Sequence, residues 1–153
     1  MSLQLLDYLD PSLIFINKDM DTSESLFNHI YQKTFAKSLV RDDFGQRIMK
    51  REEEFPTGIQ LEHIGVAIPH TDAECIYKEF VAIYINKPSI PFASMEDPNQ
   101  LVQADVVFVL GLNQPHAQLE MLQKLIQLIQ NDKKMSDLLK AKNNQDVYDI
   151  LSK

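Results

Sequence analysis

Gly65-Val66-Ala67-Ile68-Pro69-His70-Thr71 reads as a short buried strand with an abrupt end. Small and apolar residues run as far as Ile68, and Pro69 then fixes φ and removes a backbone donor. His70 is thereby presented just past a strand end, on backbone with little freedom. An imidazole held this way, beside a hydroxyl, suits a nucleophile that must meet a large reactant at a fixed angle. The heptapeptide alone also fits a polar residue that caps a strand, so the flanking sequence has to decide.

Upstream, Phe55-Pro56-Thr57-Gly58 stops a helix that begins near Asp42-Asp43 and carries Phe44, Ile48 and Met49 into Arg51-Glu52-Glu53-Glu54. Ile59-Gln60-Leu61 then reads as a short strand or loop leading to Gly65. Further back, Asp21-Thr22-Ser23-Glu24 has the pattern of a capped helix start. Leu26, Phe27, Ile30, Tyr31, Thr34, Phe35 and Leu39 follow on one broad face. Leu13-Ile14-Phe15-Ile16 reads as a buried strand, and Leu3 to Leu9 as a first helical turn or lead-in.

Downstream, Glu79 to Ile85 is a buried strand, followed by a proline-punctuated loop from Lys87 to Phe92 and a polar excursion through Asp97-Pro98-Asn99. Asp105 to Leu110 is the strongest strand signal in the chain. Asn113-Gln114-Pro115 opens a helix, with proline where the first turn tolerates it. Its expected apolar stripe is Leu119, Leu122, Leu125, Ile126 and Ile129; further helices are expected at Met135 to Leu139 and Asp146 to Leu151. The order predicts one domain over residues 1–153: a three-layer α/β/α sandwich. The hairpin-like spacing from residue 59 to 85 predicts a mixed β-sheet.

Composition narrows the function. The chain has 153 residues, 44% hydrophobic and 24% charged, which is ordinary globular usage. A net charge of −7 with no basic block argues against a nucleic-acid partner. There is no apolar run long enough to span a membrane, and Met1 to Asp7 lacks the pattern of a signal peptide. With Cys75 the single cysteine, a reducing cytoplasm is the expected setting.

Three histidines bear on chemistry: His63, His70 and His116. Pro115-His116 puts His116 in the first turn of a helix, where the dipole favours a neutral, donating ring and attracts an anion. His29 falls mid-helix, at the surface or half-buried. Together with an arginine, His70 and His116 would make a phosphate-handling site. Arg51 is the candidate, although by spacing alone it reads as one charge in a solvated run with Glu52, Glu53 and Glu54. His63, His70, Cys75 and His116 are zinc-ligand types, but their spacing matches no zinc module. No nucleophile elbow, Walker loop or dinucleotide glycine pattern is present.

Arg51-Glu52, Pro56-Thr57-Gly58 and Ala67-Ile68-Pro69-His70, followed by Pro115-His116-Ala117-Gln118-Leu119 after a hydrophobic strand, closely resemble the enzyme IIA domains of the bacterial sugar phosphotransferase system, fructose/mannitol superfamily. The resemblance covers nearly the whole chain. Phe55-Pro56-Thr57-Gly58-Ile59 and Ala67-Ile68-Pro69-His70-Thr71-Asp72-Ala73-Glu74 look most like the galactitol-type branch. The Gly-Ser-Thr-Gly turn and the His-Gly of the nitrogen-regulatory branch are absent. One departure is His116, where galactitol-type relatives often carry glutamine.

The resemblance implies that His70 accepts a phosphoryl group from phospho-HPr and passes it to a cysteine of an enzyme IIB, which serves a membrane IIC component. It implies that Arg51 and His116 stabilise the phosphoryl oxygens, with Thr57 and Thr71 as supporting hydroxyl donors. Such transfer needs no metal and no bound cofactor. Two alternatives are a regulatory phosphoprotein of the same fold and a binding module that has lost transfer.

Overall fold

The computed structural model describes residues 4–153. A 3-10 turn, Leu5–Tyr8, leads into β1 (Leu9–Ile16), followed by α1 (Ser23–Ala36), α2 (Phe44–Glu54), β2 (Gly58–Gln60) and β3 (Gly65–Ala67). Then come β4 (Phe80–Ala93), β5 (Leu101–Gly111), α3 (Pro115–Ile129), α4 (Asp132–Leu139) and α5 (Asn144–Leu151). The strands form one sheet in the order β1-β4-β5-β3-β2. β1 is parallel to β4 and β3 parallel to β5, whereas β4 and β5 are antiparallel, as are β2 and β3. The sheet is mixed, as the short spacing around β2 and β3 requires.

Alternation along the central strands sends side chains to two cores. Phe80, Ala82 and Tyr84 of β4 pack with Leu26, Phe27 and Ile30 of α1 and Phe44 and Ile48 of α2. Val81, Ile83 and Ile85 face the other way, onto Met121, Leu125 and Ile129 of α3, Met135 and Leu138 of α4, and Val147 of α5. The result is three layers. Thr22 caps α1 by accepting from the Ser25 N–H at 3.0 Å, and Pro115 occupies the first turn of α3.

Three expectations shift. The predicted loop from Lys87 to Phe92 is strand: β4 changes register between Ile85 and Ile90, then pairs again with β5 through Ile90 to Ala93. β1 pairs with β4 only from Val81 to Ile85, so Pro88 and Pro91 lie on a stretch with one neighbour, where a missing donor is tolerated. The buried face of α3 is rotated from the predicted stripe: Met121 lies inside and Leu119 is 55% exposed. Phe35 of α1 is likewise 48% exposed. Leu3 falls outside the described residues; the rest of the expected lead-in contains the 3-10 turn.

Candidate functional site

β3 and β5 run parallel, and the chain leaves both near the point where α3 begins. Pro69 O accepts from the Leu110 N–H at 3.0 Å, so the backbone stays stitched to β5 beyond the last residue of β3. His70 comes next. Its Nδ1 lies 2.9 Å from Ile68 O. A carbonyl can only accept, so Nδ1 carries the ring proton and Nε2 keeps its lone pair. Burial lowers the imidazole pKa from its ordinary 6.5; the bond to Ile68 opposes this, and the charge of Arg51 adds to it. The hydrogen bond and the lowered pKa leave His70 a neutral ring with its lone pair on Nε2.

Arg51 lies in the last turn of α2, its guanidinium carbon 4.6 Å from the ring centroid of Phe55. Stacking on Phe55, itself 58% exposed, orients the fork, which has no acidic partner among the described residues. A cavity of about 380 Å³ opens beside it, walled by Arg47, Lys50, Arg51, Glu54, Thr71 and Asp72. Arg47 bridges α2 to the segment after His70: Nε meets Asp43 Oδ2 at 3.0 Å, and the same head pairs with Asp72 at 3.0 Å and with Glu74. The cavity wall thus holds Lys50 and Arg51 beside the already paired Arg47, together with Glu54 and Asp72, and it includes Thr71, the residue after His70.

Thr57 is buried, and both its donors point inward. Its N–H donates to Glu52 Oε2 at 2.7 Å, and its hydroxyl donates to Glu52 Oε1 at 2.9 Å. Thr57 Oγ1 in turn accepts the Ile68 N–H at 3.2 Å. The Pro-Thr-Gly turn needs its glycine for space: a Cβ on Gly58 would lie 2.5 Å from Ala93 O. Thr71 is also buried, and its carbonyl accepts from Gln118 Nε2 at 3.3 Å, tying the start of α3 to the residue after His70.

His116 lies exposed in the first turn of α3, two residues before that tether. His63 is exposed between β2 and β3, 3.9 Å from Glu62. Cys75 is buried in a 3-10 turn, and burial pushes its thiol pKa up. Among the described residues, no three or more His, Cys, Asp or Glu gather as a metal site. His29 is half-buried, its Nδ1 2.7 Å from the Tyr84 hydroxyl in the core.

Sequence reasoning passed over two residues here, Glu52 and Gln118. Glu52 is 9% exposed. Burial raises its pKa to about 7, against the opposing effect of both Thr57 hydrogen bonds. Its spacing carried the signal: Phe44, Ile48 and Glu52 fall four residues apart, so Glu52 belongs to the core-facing stripe of α2. Gln118 lies inside the Pro115 to Leu119 motif, two residues past His116, where an amide on a helix surface carries no signal of its own. Its Oε1 is buried without a hydrogen-bond partner among the described residues.

Residues 7–153 match the family described as "Phosphoenolpyruvate-dependent sugar phosphotransferase system, EIIA 2". The chain is similar to the galactitol-specific EIIA component of the phosphotransferase system from Escherichia coli K12: 38% identity over 113 residues, covering 72% of this chain and 73% of the relative. Among solved structures, IIA-Ntr, the nitrogen regulatory protein from Neisseria meningitidis, superposes with a TM-score of 0.79 at 21% identity, covering 95% of this chain and 97% of that one. The Escherichia coli mannitol enzyme IIA, solved in complex with phosphorylated enzyme IIB, gives 0.75 at 18% identity, covering 94% and 96%. Among the described residues, no helix is long and apolar enough to cross a membrane.

Proposed function

Because the chain belongs to the EIIA 2 family of the phosphoenolpyruvate-dependent sugar phosphotransferase system, we propose that His70 takes a phosphoryl group from phospho-HPr and hands it to a enzyme IIB cysteine, for a galactitol-type sugar. The observation that carries this reading is the His70 tautomer: Nδ1–H donates to Ile68 O, leaving Nε2 as the nucleophile. The Nε2 lone pair attacks phosphorus as the N–P bond of the donor phosphohistidine breaks. In the second half-reaction the IIB thiolate attacks the same phosphorus, the Nε2–P bond breaks, and His70 returns to the neutral ring. Nδ1 keeps its proton throughout.

Arg51 is suited to the equatorial phosphoryl oxygens, since its fork is stacked and its charge already acts on His70. His116 would add a donor from the start of α3. Thr71, on the cavity wall, would support the oxygens locally. Thr57 would act from behind, because its hydroxyl is engaged with Glu52 and Ile68. No metal or cofactor is required by these steps. Exposed Phe55, Tyr77 and Leu119 offer apolar contact to partner proteins. Phe55 follows Arg51's helix, Asn113 Nδ2 holds Tyr77 O at 3.5 Å, and Leu119 lies on α3. A cytoplasmic setting goes with these partners, the membrane IIC component being reached through IIB.

The test is reconstitution. Phosphoenolpyruvate, enzyme I and HPr should add one acid-labile, base-stable phosphoryl group, and a galactitol IIB should then remove it. A labelled protein that discharges to no IIB would favour a regulatory role; no labelling at all would leave a binding module.

A further inference from the structure

The hydrogen bonds behind His70 form one chain. Glu52 accepts two bonds from Thr57, Thr57 Oγ1 accepts the Ile68 N–H, and Ile68 O accepts His70 Nδ1–H. We propose that Glu52 is a positioning residue for phosphoryl transfer, holding His70 in the Nδ1-protonated tautomer through Thr57 and the Ile68 backbone. This rests on the reading of His70 as phosphoryl acceptor.

Each link has a direction. An ionised carboxyl group only accepts, so it takes both the Thr57 N–H and the Thr57 O–H. The hydroxyl proton is thereby turned towards Glu52, and the oxygen's lone pairs are left for Ile68 N–H. Ile68 is fixed from its amide side, and its own carbonyl is then held for the imidazole. Removing the Thr57 hydroxyl frees the Ile68 amide; removing a Glu52 acceptor frees the hydroxyl to turn away.

A carboxyl is a costly way merely to close a turn. Among the described residues Glu52's hydrogen bonds come only from Thr57, with no cation to offset burial. Its other side borders a cavity of about 490 Å³ that includes Phe27, Met49 and Phe92. The other charged groups on that cavity are Glu24 of α1 and Glu53 of α2, and neither offsets burial, which disfavours the charged carboxylate. The Thr57 bonds act the other way, favouring the charged form that orients the chain.

The experiment compares E52Q, T57V and T57S with wild type, using E53Q as a control for lost surface charge. Above neutral pH, ¹⁵N shifts of the His70 ring in the unphosphorylated protein report the tautomer, and rapid quench reports phosphoryl acceptance. Wild type and E53Q should be Nδ1-protonated and equally fast. E52Q and T57V should shift population towards the Nε2–H form and slow acceptance by about ten- to a hundredfold, the size of loss seen when the hydrogen-bond partner that orients a metal-ligating histidine is removed. T57S, which keeps the hydroxyl, should restore both readouts, and it carries the test if T57V fails to fold. Wild-type tautomer and rate in E52Q and T57V would overturn the proposal. Absence of labelling in wild type would instead overturn the role of His70, while the ring shifts would still decide whether Glu52 sets the tautomer.

Discussion

An imidazole must be uncharged to attack phosphorus, and His70 is kept so by burial and by the charge of Arg51. Because the His70 pKa lies below 6.5, its own protonation should slow acceptance only below that value, so a limb near 7 belongs to Glu52 and should vanish in Glu52→Gln; a limb above 6.5 that persists in Glu52→Gln would contradict this. Arg51→Lys keeps the charge but loses the stacked fork, so transfer should slow while the melting temperature barely moves. For His116, Ala should slow onward transfer more than Gln, since an amide can still donate. A lost donor of this kind costs about 2.7–4 kcal/mol in transition-state stabilisation, and rapid-quench rates of both half-reactions would measure it. At this scale the sequence displayed His70 and its rigid Pro69, but Glu52 was hidden in a run of three glutamates. Composition marks such a run as solvated; only the four-residue steps from Phe44 through Ile48 reveal that one member faces the core.

Elements place these residues through backbone contact. The β2–β3 hairpin lies so close to β4 that Gly58→Ala would drive a Cβ against Ala93 O, a backbone atom with little room to move. Overpacking of this sort costs about 1–3 kcal/mol, and a lowered melting temperature should come with slower labelling, since the same turn carries Thr57. Between α1 and β4, His29 meets Tyr84. Burial lowers the His29 pKa from 6.5, so the unfolded chain binds the proton first; this contribution is complete above 6.5 and is lost as pH falls through the folded value. Glu52 acts in the opposite sense: its pKa, raised from 4.5 to about 7, favours the folded state below 4.5, and that contribution is lost as pH rises through 7. Thermal melts across pH should therefore show a shallower acid-side loss for His29→Gln and a shallower neutral-side loss for Glu52→Gln. Helix starts and hairpins were legible because caps and glycines act locally. The second half of β4 was not, since prolines are tolerated there only because β1 stops short, a fact of topology.

The whole molecule gathers the residues proposed for phosphoryl transfer at one end of a mixed sheet buried on both faces. The segment after β3 stays paired to the end of β5, Arg51 lies in the last turn of α2, and the first turn of α3 carries His116 and is tied to Thr71 by Gln118. Residues far apart in sequence thus share one end of the fold, whose layers are set by alternating burial on β4 and β5. The sequence disclosed this architecture through strand order and motif spacing. It could not disclose which face of α3 turns inward, because Leu119 and Met121 are both apolar and only packing separates them. The central claim is that His70 carries the phosphoryl group on Nε2. The most direct measurement is ¹H–¹⁵N–³¹P NMR of the protein after phosphorylation by phosphoenolpyruvate, enzyme I and HPr. The expected spectrum has phosphorus coupled to Nε2 of His70 and a proton retained on Nδ1. Phosphorus on Nδ1, on His116, or on any residue in His70→Ala would contradict it.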